Sequence, residues 1–245
     1  MKPFLLLAHR TVDRAADDEY AAMLRFSGLE ESTLRRVRME QGPLGPVDLD
    51  DYSGVILGGG PYNVTEPVKS AAQQRVEAEV SALLDQVVAR DLPFLGACYG
   101  IGTLGTHQGA IVDRTHSEPV GPMTITLTDE GRADPLMAGL PETFEAYLGH
   151  KEAIRRLPAH AVRLASSPTC PVQAFRVGRN VYATQFHPEL DLPGIETRID
   201  VYKDAGYFEP HEADLLIARA RQRTVEHPMR ILATFVDRYA RTRVA

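Results

Sequence analysis

The sequence contains no tryptophan and only two cysteines, Cys98 and Cys170, among its 245 residues. Two cysteines are too few for the disulfide framework of a small secreted protein or for a cysteine-rich metal site. No apolar run approaches the roughly 18 residues that a membrane-spanning helix needs. The short apolar stretch after Met1 is followed at once by charge, which argues against a signal peptide. We therefore expect a cytoplasmic protein that binds neither a membrane nor a metal.

The charge balance is slightly acidic, with 27 Lys and Arg against 33 Asp and Glu and a net charge of −6. Such a balance gives no general attraction to nucleic acid or to an anionic membrane. Hydrophobic residues at 44% and charged residues at 24% are ordinary for a folded protein, which excludes a disordered, collagen-like or coiled-coil chain. Because no repeat or long linker marks a boundary, we expect one domain over residues 1–245.

Short apolar runs alternate with amphipathic stretches through the first half of the chain. The runs predict strands at Phe4–Ala8, Gly54–Leu57 and residues 92–97. The amphipathic stretches predict one helix over residues 17–27 and a second that begins at a Thr65 N-cap and carries an apolar face from Val68 onward. This alternation is typical of an α/β fold with a doubly wound, mostly parallel sheet and helices on both faces.

The second half predicts strands that join the sheet in antiparallel fashion. These strands are expected at residues 124–128, 144–148, 162–166, 172–177 and 181–186. Gly178-Arg179-Asn180 favours a hairpin between the last two strands. The helical pattern returns at residues 212–223 and 229–241.

The pentapeptide Gly96-Ala97-Cys98-Tyr99-Gly100 has the form of a nucleophile elbow, a sharp turn between a strand and a helix. Small flanking residues suit such a turn because the chain passes close to itself there. The N–H groups of the following helix would favour a negative charge on the sulfur. A buried core cysteine is the alternative, and the pentapeptide alone does not decide between the two.

Two further motifs end predicted strands. Gln185-Phe186-His187-Pro188-Glu189 can place an imidazole against a thiol with a carboxylate behind it, which is the logic of a Cys–His–Glu triad. Gly58-Gly59-Gly60-Pro61 can direct a backbone N–H into the crevice at the carboxyl ends of the strands. The alternatives are a histidine satisfied by solvent or a backbone carbonyl, and a tight turn whose glycines need positive φ.

The three motifs, in the order GGGP, GACYG and QFHPE, resemble the class I glutamine amidotransferase family, and most of all its GMP synthase branch. The resemblance implies a flavodoxin-like fold whose nucleophile lies on an elbow at the carboxyl edge of the sheet. It implies that Cys98 is the nucleophile, that His187 is the base and acid, and that Glu189 orients His187. Backbone N–H groups of Gly60 and Tyr99 would form the oxyanion hole, and no cofactor is implied.

The sequence departs from this family in two places. Gly102 stands where the family usually has a glutamine that helps to bind the substrate, so part of that recognition is missing. About 35 extra residues, 192–227, separate the His-x-Glu motif from the last helix, and we expect them to form a helical insertion beside the active site. His150, in a Leu-Gly-His-Lys-Glu stretch similar to one in the family, is a candidate for the substrate pocket, with a surface loop as the alternative.

Three functions remain open at this point. The resemblance implies that a thiolate attacks a glutamine amide, that water hydrolyses the thioester, and that ammonia passes to a synthetase partner. A partner is expected because no ATP-pyrophosphatase segment follows Ala245. A hydrolase of γ-glutamyl amides or peptides is the first alternative, which Gly102 would permit by opening the pocket. A catalytically silent binding module is the second, although the complete Cys98, His187 and Glu189 set argues against it. No oligomeric state is predicted.

Overall fold

The computed structural model describes residues 1–240, in which the chain forms a nine-stranded mixed sheet, a two-stranded sheet and seven α-helices. The strands are β1 (Phe4–Ala8), β2 (Leu34–Arg38), β3 (Gly54–Leu57), β4 (Phe94–Ala97), β5 (Ile111–Asp113), β6 (Glu118–Leu127), β7 (Thr143–His150), β8 (Ala153–Arg156), β9 (Val162–Ser166), β10 (Ala174–Val177) and β11 (Val181–Thr184). The helices are α1 (Asp13–Ser27), α2 (Ala71–Ala89), α3 (Tyr99–His107), α4 (Asp129–Ala133), α5 (Leu192–Tyr202), α6 (Ala213–Arg221) and α7 (Arg230–Tyr239). None of these helices is long and apolar enough to cross a membrane.

The large sheet has the strand order β2-β1-β3-β4-β11-β10-β9-β6-β7. The first five strands in this order are mutually parallel, and the remaining four continue the sheet in antiparallel pairs. The predicted mostly parallel sheet with antiparallel additions is therefore confirmed. Because the strands β1, β3, β4 and β11 are parallel, the segments that follow them all emerge at one edge of the sheet.

Helices cover both faces of the sheet, as predicted. Alternate side chains of β1 point to opposite faces, so Phe4 and Leu6 join one hydrophobic core while Leu5 and Leu7 join the other. The first core includes side chains of α1 and α7, and the second includes side chains of α2 and α3. Burial of every residue of β1 explains why this strand is a continuous apolar run.

The predicted Thr65 start of the second helix is wrong. Helix α2 begins at Ala71, and its N-cap is Ser70, whose hydroxyl accepts a hydrogen bond from the Gln73 N–H. Thr65 instead donates its N–H and hydroxyl to the Glu152 carboxylate, so it cannot cap a helix. Val68, expected on the buried face, is 84% exposed. Pro67 disfavours helical geometry at Glu66, which would be the first residue of a helix capped by Thr65.

Other predicted elements are confirmed with shifted ends. Helix α1 begins at Asp13 rather than at residue 17, and α6 ends at Arg221 rather than at residue 223. The hairpin at residues 178–180 joins β10 to β11 as expected. The last helix covers Arg230–Tyr239, and Arg241 of the prediction lies outside the described residues.

The extra segment, residues 192–227, contains α5 and α6. Its apolar side chains form a third hydrophobic cluster, in which Ile195, Ile199 and Leu216 pack against Tyr147 of β7 and against Leu190. Asp191 caps α5 by accepting a hydrogen bond from the Gly194 N–H, so this helix starts shortly after Glu189. The segment therefore begins directly at the edge of the sheet where the parallel strands end.

Candidate active site

Four segments meet at the carboxyl edge of the parallel strands, and three of them carry the motifs singled out in the sequence. His9 and Arg10 follow β1, the turn at residues 58–60 follows β3, Cys98 follows β4, and His187 comes shortly after β11. The register places β4 between β3 and β11, so the elbow lies between the glycine turn and the His187 segment. The parallel topology alone thus brings the three sequence motifs into one crevice.

Cys98 has the backbone strain of an elbow. Its φ of 52° and ψ of −95° lie outside the regions that non-glycine residues usually adopt, and α3 begins at the next residue. A Cβ on Gly96 would come within 2.9 Å of the Gly100 backbone. The flanking glycines are thus required because the strand and the helix cross closely, as expected for a nucleophile elbow.

The turn at residues 58–60 requires glycine because of close packing and not because of a positive φ. None of Gly58, Gly59 and Gly60 has a positive φ. A Cβ on Gly59 would lie 2.6 Å from Cε1 of His187, and one on Gly60 would lie 2.0 Å from Nε2 of His9. The interpretation of these glycines as a positive-φ turn is therefore wrong. Because Gly59 and Gly60 have no side chains, the turn can lie close to the imidazole rings of His187 and His9.

His187 is held between Glu189 and Cys98. Its Nδ1 lies 2.7 Å from Oε1 of Glu189, and both side chains are buried. Burial alone would lower the pKa of His187, but the Glu189 carboxylate and then the Cys98 side chain raise it to about 9. Burial alone would raise the pKa of the Glu189 carboxyl, but His187, Arg198 and Arg10 lower it. At neutral pH the imidazole is thus protonated and its carboxylate partner is ionised.

Two arginines and a second glutamate lie behind this pair, and sequence reasoning missed all three. Arg10 donates its Nε–H to Glu19 at 2.9 Å, and Arg198 has an Nη2 that lies 3.9 Å from an oxygen of Glu19 and 3.9 Å from one of Glu189. All four side chains are buried. Burial, and then Arg10, lower the pKa of Arg198. The position of Arg10 after a strand of the parallel sheet was the one sequence signal that could have found it.

Two cavities meet at Cys98. The larger, of about 530 Å³, is lined by His187 and by side chains of residues 192–227 that include Arg198, Tyr202 and Tyr207. The smaller, of about 300 Å³, is lined by Tyr99, Gly102 and His150 among others. Cys98, Gly60, Gly149 and Tyr207 line both cavities. Cys98 therefore lies where a substrate could extend in two directions.

The remaining sequence-predicted residues surround the smaller cavity. Gly60 and Tyr99 line it together with Cys98, and their assignment to the oxyanion hole stays a prediction. A Cβ on Gly102 would lie 3.4 Å from Oε1 of Glu152 and 3.4 Å from Cγ2 of Val64, so this position at the cavity wall accepts a Cβ without a clash. The loop alternative for His150 is wrong, because this residue ends β7 and is buried.

His150 also belongs to a buried polar cluster with Glu118 and Cys170, whose ligand-type atoms lie within 4.8 Å of one another. Glu118 accepts hydrogen bonds from Gln173, Ser167 and Thr169 as well as facing Nε2 of His150 at 2.8 Å. Burial alone would raise the pKa of the Glu118 carboxyl, but these hydrogen bonds lower it. Burial raises the pKa of Cys170 to about 12, so its thiol stays protonated. The carboxylate is already saturated, and the cluster serves as a hydrogen-bonded core beside the cavity.

Comparison with known proteins assigns the family. A family model described as glutamine amidotransferase class-I matches residues 30–198, which is more than half of the chain. The chain belongs to the class-I glutamine amidotransferase family. The matched range contains all three motifs, from the glycine turn to Glu189, and extends to Arg198 of α5. Enzymes of this family hydrolyse amides with a Cys–His–Glu triad, which is the residue set that meets in the crevice.

Relatives of known description point to the GMP synthase branch of the amidotransferases. A glutamine-hydrolyzing GMP synthase subunit from Thermoplasma volcanium is 31% identical over 144 residues, which are 58% of this chain and 65% of the relative. The GMP synthase of Christiangramia forsetii is 32% identical over 146 residues, 59% of this chain but 26% of the relative. The chain thus spans less than two thirds of the curated relatives that it matches.

The fold is shared over nearly the whole chain with a solved amidotransferase. A glutamine amidotransferase from Thermotoga maritima superposes with a TM-score of 0.77, covering 99% of this chain and 100% of that one at 20% sequence identity. At this identity the superposition establishes the fold. The amidotransferase fold predicted from the three motifs is therefore confirmed.

Proposed function

We propose that this amidotransferase-family chain hydrolyses the side-chain amide of a γ-glutamyl group, of which glutamine is the simplest, through a thioester on Cys98. The observation that carries the proposal is the arrangement of Cys98, on a strained elbow, with the buried pair His187 and Glu189, whose Nδ1 and Oε1 atoms lie 2.7 Å apart. A strained nucleophile, a base held by a carboxylate and a neighbouring cavity are the parts that acyl transfer needs.

The first half of the reaction forms the thioester. The Cys98 thiolate attacks the amide carbon, and negative charge develops on the carbonyl oxygen near the N–H groups of Gly60 and Tyr99. His187 then gives its proton to the departing nitrogen, which leaves as an amine or as ammonia. Glu189 keeps the imidazole oriented and stabilises its positive charge during the step.

The second half restores the enzyme with one water. His187, now neutral, takes a proton from the water that attacks the thioester. The C–S bond breaks, the glutamyl product leaves with a free carboxyl group, and the proton on His187 is again shared with the Cys98 sulfur. The sum of the two halves is one amide and one water converted to one acid and one amine.

We infer that, when glutamine is the substrate, the ammonia passes to a synthetase partner. The support is the similarity to the Thermoplasma volcanium protein, which is named as one subunit of a GMP synthase and so implies another. In the absence of a partner, hydrolysis of free glutamine is expected to be slow, because Gly102 leaves part of the usual substrate contact unfilled. The two free cysteines suit a reducing, cytoplasmic compartment.

We also propose that residues 192–227 are an insertion in a single domain and that they narrow access to Cys98. Tyr207 supports this, since it lines both cavities at the nucleophile. Lys151, in the turn after β7, lies 4.4 Å from the centre of the Tyr207 ring and donates a hydrogen bond to the Ala205 carbonyl. These contacts hold the insertion over the crevice.

Labelling with a glutamine-like chloroketone, followed by peptide mass spectrometry, tests the nucleophile. We expect one adduct, on Cys98, and a loss of more than about a thousandfold in amide hydrolysis for Cys98→Ser. Cys170→Ser is the matched control and should retain both labelling and activity, because Cys170 is buried and its thiol is protonated. Labelling of Cys170 in preference to Cys98 would overturn the assignment.

A further inference from the structure

The larger cavity lies on the side of the departing nitrogen. His187 lines the larger cavity and does not line the smaller one. Since the His187 imidazolium delivers the proton to the departing nitrogen, whatever is attached to that nitrogen extends into the larger cavity. The lining of this cavity runs from Cys98 and His187 to Ile195, Tyr202 and Phe208 of the insertion. A leaving group larger than ammonia would therefore contact side chains of the insertion.

Arg198 of the insertion lines this cavity, and its guanidinium is ion-paired with two carboxylates without a hydrogen bond to either. The Arg198 side chain is 7% exposed, and its Nε and Nη2 are buried without a hydrogen-bond partner among the described residues. Its nearest carboxylate oxygens, on Glu19 and Glu189, lie at 3.9 Å, beyond hydrogen-bond distance. Buried charged donors without an acceptor are costly, so native proteins rarely keep them unless a ligand or water completes them.

Arg10 contributes a second incomplete guanidinium to the same wall. Its Nε is held by Glu19 and its Nη1 lies 3.4 Å from the Tyr202 hydroxyl, but its Nη2 is buried with no partner among residues 1–240. Two guanidinium groups offset the carboxylates of Glu19 and Glu189, so the cavity does not repel an anion. A planar guanidinium presents paired donors that match a carboxylate or a phosphate, and a carboxylate is the smaller of the two.

The remaining wall of the cavity is largely apolar. Ile195, Tyr202, Tyr207 and Phe208 of the insertion line it, together with Leu148 and Leu190 of the main body. A short aliphatic chain would be buried favourably against these side chains. The cavity thus combines apolar side chains that would contact the body of a small amine with the guanidinium groups of Arg10 and Arg198.

We propose that the substrate is a γ-glutamyl amide whose amine portion carries a carboxylate, and that Arg198 binds that carboxylate in the larger cavity. The proposal rests on the proposed amide hydrolysis at Cys98 and names its substrate class. The C–N bond to the amino acid breaks, the Cys98 thioester forms, and the amino acid leaves with the proton from His187. Water then releases glutamate, so the products are glutamate and a free amino acid.

Matched pairs of γ-glutamyl compounds test the carboxylate site. The carboxylate members are the γ-glutamyl derivatives of glycine, β-alanine and 4-aminobutyrate. Their partners are the γ-glutamyl ethyl, propyl and butyl amides, in which a methyl group replaces each carboxylate. For at least one pair we expect kcat/KM to be about tenfold or more higher for the carboxylate member, the size of a hydrogen bond to a charged group.

The Arg198→Gln variant assigns the selectivity to the guanidinium. We expect the ratio within the preferred pair to fall towards one in this variant, whatever happens to the overall rate. Arg221→Gln is the matched control, because Arg221 belongs to the same insertion but is exposed and pairs with Glu196; its ratio should equal that of the native chain. If Arg198→Gln is inactive, calorimetric binding of the same pair to Cys98→Ser, with and without Arg198→Gln, gives the same comparison.

The possible outcomes separate this proposal from the function on which it rests. Ratios near one for all three pairs, with hydrolysis of glutamine intact, would overturn the carboxylate site and leave the amide hydrolysis standing. An equal loss for both members of a pair in Arg198→Gln would also overturn it, because Arg198 would then act only through Glu189. Failure to hydrolyse or bind any γ-glutamyl compound would refute the proposed function itself.

Discussion

A single added methyl group on Gly60 tests the geometry of the oxyanion hole. In Gly60→Ala the new Cβ would stand 2.0 Å from Nε2 and 2.2 Å from Cδ2 of His9. Carbon atoms in contact are normally about 3.5 Å or more apart, so the turn or the ring must move by more than about 1 Å. His9 is fully buried and packs against the rings of Tyr62 and Tyr99, so it has no free space into which to move.

The turn should therefore move, and the Gly60 N–H should move with it. Loss of one oxyanion donor typically costs about a hundredfold to a thousandfold in kcat, so we expect kcat for amide hydrolysis to fall by about that factor. The free energy of unfolding should fall by about 1–3 kcal/mol, the usual cost of overpacking. Steady-state kinetics and chemical denaturation measure the two quantities on the same preparation.

Two further variants isolate the cause. Gly42→Ala is the matched control, because no atom lies within 4 Å of its added Cβ and its φ is ordinary, so kcat should not change. Combining Gly60→Ala with His9→Ala removes the clash and should recover about tenfold or more in kcat, since His9 has no hydrogen-bond partner to lose among the described residues. Undiminished kcat in Gly60→Ala would refute the role of this N–H.

Three other substitutions probe the triad and the cavities. In Glu189→Gln, loss of the negative charge should lower the pKa of His187 from about 9. The fall in kcat/KM at high pH, which reports deprotonation of the imidazolium, should then occur at lower pH. An unchanged pH profile would contradict the coupling between Glu189 and His187. Gly102→Gln should lower KM for glutamine several-fold by filling the space beside Glu152, with kcat nearly unchanged; a higher KM would show instead that the space belongs to the substrate. Tyr207→Ala should raise KM more than it lowers kcat, because Tyr207 lines both cavities without belonging to the triad. An unchanged KM would argue against contact between Tyr207 and the substrate.

Sequence reasoning worked best where local pattern and topology agree. The buried strands β1 and β3 are continuous apolar runs with sharp ends, so their bounds were predicted without error. The elbow at Cys98 was recognisable because the close crossing of strand and helix leaves no space for a Cβ at Gly96. Once the strands are known to be parallel, the meeting of the three motifs follows from the sheet alone.

The sequence could not reveal contacts that depend on the path of the insertion. Arg198 lies near Glu189 because α5 turns back over the crevice, and nothing in the spacing of the two residues requires that approach. Thr65 has the side chain of a helix cap, but its hydroxyl bonds to Glu152, which is 87 residues away. In both cases a distant tertiary partner decides the role of a residue whose local pattern suggests another.

The third hydrophobic cluster has a consequence for how specificity could change in this lineage. Ile195, Ile199 and Leu216 form a small core of their own, separate from the two cores that support the sheet. Substitutions there can remodel the wall that faces the departing group while the strand ends that hold Cys98 and His187 stay in place. On the proposed function, substitutions in this cluster should therefore change which amide is accepted more than they change the reaction at Cys98.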